Sequence, residues 1–145
     1  MRKILVLAVS VLIVAACSGS PATSASTGTT VHFTMKAQNE SQAAGTGEVV
    51  TTAGSFTLTI KLTGMVPMSS HISHVHAGNC GVPGGIVYAL QQVIADASGG
   101  ATATTIVPGK YLVPASGWYV NVHNGPDFSK PDYAPSASCG DLSAT

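Results

Sequence analysis

Charge is scarce in this chain of 145 residues: Asp, Glu, Lys and Arg together make up 8%, against roughly 25% in an average soluble domain. Long amphipathic helices need a charged outer face, so the scarcity argues against a helical protein. Arginine occurs once, as Arg2. The formal net charge is zero, and no basic run or aromatic–basic interleaving is present, which argues against a nucleic-acid partner. The longest apolar run, residues 4 to 16, is too short for a comfortable membrane span. Cysteine is rare as well, with three in all.

Small residues fill the space that charge leaves. Ser, Thr, Gly and Ala dominate, and their distribution fits many short strands joined by Gly, Pro and Ser turns. The N-terminus follows another logic. Arg2 and Lys3 precede the apolar run, which ends in Val14-Ala15-Ala16-Cys17. This is the pattern of a bacterial lipoprotein signal, in which Cys17 is lipidated and becomes the first residue of the mature protein. The stretch SGSPATSASTGTT has no apolar periodicity and reads as a flexible tether. The chain therefore divides into a signal peptide (1–16), a lipidated cysteine with its tether (17–30) and one domain (31–145). The expected location is the bacterial cell envelope, extracytoplasmic and lipid-anchored to a membrane.

Within the domain the hydrophobic period is two. In VHFTMKA, Val31, Phe33, Met35 and Ala37 alternate with His32, Thr34 and Lys36, which turns His32 to solvent. In GSFTLTIKLTG, Phe56, Leu58, Ile60 and Leu62 face inward. Further strands are expected at 46–52, 71–77, 85–91, 101–107, 117–123 and, briefly, near Cys139. These make about eight strands, the number for a small barrel or sandwich. Residues 91–97 fit a helical turn instead.

Three of the five histidines fall in HISHVHAGNC, residues 71–80. Val75 takes one face of that strand, and His74 and His76 the other. In WYVNVH, Trp118, Val120 and Val122 form the apolar face, so Tyr119, Asn121 and His123 share the polar one. All three histidines should project from the outside of the barrel. Two imidazoles two residues apart, with a third from a neighbouring strand, would make a three-nitrogen set suited to copper or zinc. Three exposed histidines that never meet fit the same alternation. With Cys17 assigned to the anchor, Cys80 and Cys139 remain, and an even pair outside the cytoplasm is expected to oxidise to a disulfide. Two thiolates joining the histidines on a metal is the alternative. Met65 and Met68 have the softness of copper(I) ligands, but more often such residues fill a gap beneath a loop.

These segments resemble a family. GMVPMSSHISHVHAGNCG is similar to the segment of copper–zinc superoxide dismutases in which a glycine-led loop precedes H-x-x-H-x-H and a cysteine follows. GWYVNVH resembles their penultimate strand, and SASCGDL their last. The CHRD domain of the same eight-stranded Greek-key superfamily is similar too. The resemblance implies an all-β, eight-stranded Greek-key β-barrel or sandwich, superoxide dismutase-like, with a Cys80–Cys139 disulfide. It further implies copper ligands at His74, His76 and His123, and makes His71 a histidine that is not a ligand but hydrogen-bonds beside the site.

Departures from the family bear on function. No histidine lies between His76 and His123, so the bridging imidazole and the zinc-binding histidines are missing. A separate zinc site is therefore not expected. The CGVPGG connection and the segment between His123 and Cys139 are both short, and no arginine follows Arg2 to draw in an anion. Lys130 could supply charge but not a guanidinium fork. The expectation is a membrane-tethered domain that binds copper, for buffering or delivery, without efficient dismutase activity and with no catalytic residue assigned. Two other functions fit the same residues: a copper-only superoxide dismutase, and a metal-free extracellular interaction module.

Overall fold

The computed structural model describes residues 28–145. The expected signal peptide, Cys17 and most of the tether lie outside the described residues. Ten strands follow in order: β1 Thr30–Ala37, β2 Ala44–Thr51, β3 Ser55–Thr63, β4 Ser70–His71, β5 Ser73–Asn79, β6 Val82–Ala89, β7 Val93–Ile94, β8 Ala101–Pro108, β9 Trp118–His123 and β10 Ser136–Leu142. One 3-10 turn, Pro131–Tyr133, lies between the last two. Eight of the strands form one antiparallel sheet in the order β6-β5-β9-β10-β1-β2-β3-β8, and β4 pairs with β7 in a separate short ladder.

The alternating strands bury the faces that their sequence marks. Phe56, Leu58, Ile60 and Leu62 of β3 are all buried, while Lys61 between them is exposed. On β1, Phe33 and Met35 are buried, whereas Ala37 is exposed where the strand runs out beyond the core. The sheet curls on itself. Phe56 of β3, near one end of the strand order, meets Tyr88 of β6, at the other end, edge to face at 5.7 Å. Tyr111 packs on Phe56 at 5.3 Å, and Trp118 on Tyr88 at 5.4 Å. Edge-to-face pairs of this kind add about 0.5–1.5 kcal/mol each beyond the area they bury.

Three local expectations are corrected. Residues 91–97 form no helical turn: Val93 and Ile94 pair with His71 and Ser70. Both are β-branched, and Val93 is fully buried. The chain then turns because Asp96 Oδ1 accepts hydrogen bonds from the backbone of Ser98 and Gly100. CGVPGG is not a loop, because β6 already begins at Val82. Asn79 Oδ1 accepts from Gly81 N and Val82 N, closing a tight hairpin. Pro83 fits there since β6 is an edge strand, where a missing N–H costs no ladder bond. The segment near Cys139 is a full seven-residue strand rather than a short one.

Cys80, just after β5, is bonded to Cys139 of β10 across 59 residues of sequence, as expected. The alternative of two thiolates on a metal is thereby excluded. Closing a loop of this size contributes about 4 kcal/mol in the chain-entropy model. Changing both cysteines to serine should therefore lower unfolding stability by about that amount, read from urea transitions. A loss below about 1 kcal/mol would show that the bond is strained or the unfolded chain already compact.

Candidate metal centre

The site is built where β5 and β9 run side by side. Their register sets His74 opposite Asn121, His76 opposite Tyr119 and Ser73 opposite Val122. Val75, Val120 and Val122 point into the core and are fully buried. The opposite parity puts His74, His76, Tyr119, Asn121 and His123 together on the outer face. The three imidazoles meet there, with ring centroids 5.4 to 6.0 Å apart. One ring nitrogen from each lies within 4.8 Å of one from each of the others.

Hydrogen bonds decide which nitrogen two of the three rings offer. His76 Nδ1 is 3.0 Å from the carbonyl of Gly84 on β6, to which it donates, so its lone pair is on Nε2. His123 Nδ1 is 2.6 Å from the carbonyl of Ala134 and likewise leaves its lone pair on Nε2. His74 Nδ1 and His76 Nε2 are buried atoms with no hydrogen-bond partner among the described residues. Buried polar atoms without partners are rare and costly. An ion held between the rings would give both nitrogens a partner. The donor set is three neutral imidazoles with no carboxylate, which suits copper or zinc rather than calcium or magnesium. The residues present fit such an ion.

The cluster is more shielded than strand parity implies. His74 and His76 are half-buried, and His123 is only 6% exposed. The segment between β9 and β10 folds back over this face. Phe128 lies parallel to the His74 ring at 6.0 Å and edge-on to His123 at 5.0 Å. Tyr119 stacks against His76 at 5.1 Å. Gly125 lets the segment close down, because a Cβ there would run into the Tyr133 ring. Phe128 and the Gly84 and Ala134 carbonyls carry no sequence signal that marks them. Asn121 did: it shares the parity of His123, and its Nδ2 lies 3.2 Å from His123 Nε2.

The remaining histidines separate cleanly. His71 is buried, with Nδ1 2.7 Å from the backbone carbonyl of His123 and Nε2 2.7 Å from Ser69 Oγ. It therefore steadies the strand that carries His123. His32 is exposed beside Glu48, 3.6 Å away on the neighbouring strand. Met65 is buried as expected, but Met68 is 75% exposed at a backbone φ of +60°, so it fills no gap. Lys130 lies over the Tyr133 ring at 5.0 Å.

Residues 1–18 match the prokaryotic membrane lipoprotein lipid attachment site. The chain is accordingly lipid-anchored, membrane-associated and extracytoplasmic. No curated protein matches the chain.

Burial lowers the pKa of His74, and the neighbouring His123 and His76 lower it further. Burial also lowers that of His123, against an opposing effect of the hydrogen bond to Ala134. Both rings thus bind protons less readily in the folded state than in the unfolded chain. Below the unfolded value of about 6.5 the unfolded chain holds more protons, so stability must fall as pH drops through that region. Above it the contribution is fully present. Urea midpoints of the metal-free protein should fall between pH 7.5 and pH 5, and by less in His74→Ala. A slope that is equal in both would refute this assignment.

Proposed function

We propose that this lipoprotein binds copper outside the cytoplasm through His74, His76 and His123, and buffers it or passes it on. The reading is carried by the two unpartnered buried nitrogens, His74 Nδ1 and His76 Nε2, facing a third imidazole whose tautomer is already set. Copper is preferred over zinc because imidazole sites bind Cu(II) more tightly in the Irving–Williams order. We further propose that the curled sheet is a Greek-key barrel of the superoxide dismutase-like and CHRD type. The three-motif resemblance and the Cys80–Cys139 pairing support it. Cys17 is proposed as the lipidated residue, within the matched attachment site.

A bound ion would supply Lewis acidity and one-electron chemistry. The chain's own residues orient the donors and limit access to them. They offer little for efficient dismutation, since no arginine follows Arg2 and Lys130 is engaged over Tyr133. Electrostatic steering needs a positive field at the site mouth, and six acidic residues face four lysines beyond residue 16.

The test is copper titration and EPR on the full chain extracted in mild detergent. The expected result is one Cu(II) per chain with nitrogen ligation, abolished by changing His74 and His76 to Ala and unaffected by His32→Ala. Wild-type affinity in the double variant would sink the site. A chain that binds no copper would make the metal-free interaction module the better reading. Superoxide turnover by the copper-loaded protein should fall well below the diffusional ceiling of about 10⁸–10⁹ M⁻¹s⁻¹. A rate near that ceiling, lost in His123→Ala, would instead establish a copper-only dismutase.

A further inference from the structure

We propose that Asn121 is the fourth donor of this centre, its side-chain amide turning over when the ion binds. This inference rests on the three-histidine reading above. Asn121 is only 7% exposed, lies directly across from His74, and points its amide at the cluster. Its Nδ2 is 3.2 Å from His123 Nε2. Neighbouring donors on one ion, with bonds of about 2.1 Å at angles between square and tetrahedral, stand about 3.0–3.4 Å apart. The end of the Asn121 side chain therefore already has the spacing of a co-ligand of His123.

In the metal-free protein the amide N–H donates to the lone pair of His123 Nε2, and Asn121 Oδ1 accepts from the Ser136 hydroxyl. An ion on His123 would take that lone pair and leave an N–H directed toward a cation. Rotating the amide by half a turn exchanges oxygen and nitrogen without changing the outline of the side chain. Oδ1 then faces the ion, and Nδ2 donates to Ser136 Oγ. The Ser136 hydroxyl needs a new acceptor in that state, and Ser138 O is in place at 3.2 Å. The Asn121 and Ser136 side chains thus keep partners in both arrangements, and Ser136 allows the exchange because a hydroxyl both donates and accepts. The oxygen adds no charge. Being harder than imidazole, it favours Cu(II) over Cu(I).

The full chain in detergent is titrated with Cu(II) and Cu(I) against competing chelators, and EPR spectra and the Cu(II)/Cu(I) potential are recorded. Asn121→Leu, similar in size but without a donor, should weaken Cu(II) binding about tenfold or more, change the copper hyperfine pattern and raise the potential. Asn121→Asp, which keeps an oxygen in place, should bind Cu(II) at least as tightly as wild type. It also serves as the folding control, with its circular dichroism compared with wild type. Ser136→Ala should weaken Cu(II) binding by less than Asn121→Leu. If wild type binds copper and Asn121→Leu leaves affinity, spectrum and potential unchanged, Asn121 is no ligand and the three-histidine site stands alone. If wild type binds no copper, the site itself fails and this inference with it.

Discussion

Everything at the site depends on the antiparallel ladder between β5 and β9. That ladder sets His74 opposite Asn121 and His76 opposite Tyr119, and so fixes which side chains can share an ion. Because side chains alternate with a period of two, a slip of one residue would send the histidines inward and the valines outward. The burial of Val75, Val120 and Val122 holds the register, since each is fully buried in the core. The same apolar contacts that fold the sheet thereby place the polar cluster on its back. The Cys80–Cys139 bond adds a covalent tie from the end of β5 to β10, the other neighbour of β9.

The ladder brings the rings together, and backbone carbonyls then determine how they face. Gly84 O on β6 accepts a hydrogen bond from His76 Nδ1, and Ala134 O, beyond the 3-10 turn, accepts one from His123 Nδ1. Fixed carbonyls make tautomer selection a property of the fold rather than of the ion. His71 extends this order by one step. Its ring bridges Ser69 and the His123 carbonyl, linking the short β4–β7 ladder to the strand that carries His123. Two of the three rings thus have their lone pairs set on Nε2 by the fold alone.

Much of this was legible in the sequence, for a physical reason. A two-residue period requires no knowledge of partners, so the inward faces of β1, β3, β5 and β9 and the shared parity of His74, His76 and His123 could be read directly. Strand adjacency is a different matter. His76 and His123 lie far apart in sequence, and nothing local states that their strands pair. The family resemblance carried that step. What stayed hidden was set by segments without periodicity. Phe128 and Ala134 belong to a connection whose course depends on Gly125 packing against Tyr133, a contact with no sequence signature. The same connection explains why His123 is buried, although its parity points it outward. Residues 93–94 were ambiguous because a two-residue strand is too short to show a period.

The scarcity of charge extends to this cluster. No carboxylate joins the cluster, and nearby acidic groups are occupied elsewhere. Asp141 Oδ1 accepts from Cys80 N, and Asp127 Oδ1 accepts from Ser129 N. Hard divalent ions abundant outside the cytoplasm bind through charged oxygens, and a neutral nitrogen set gives them little hold. Ions that prefer imidazole lose nothing by the absence of a carboxylate. A cluster without carboxylates would therefore select among metals by donor chemistry rather than by charge. It has a second consequence, since no anionic side chain in the cluster offsets the positive charge an ion brings. That excess charge would sit in a half-buried site, where water screens it less than at the open surface. Affinity for an ion would then come from the ring lone pairs, two of which the folded chain has already oriented.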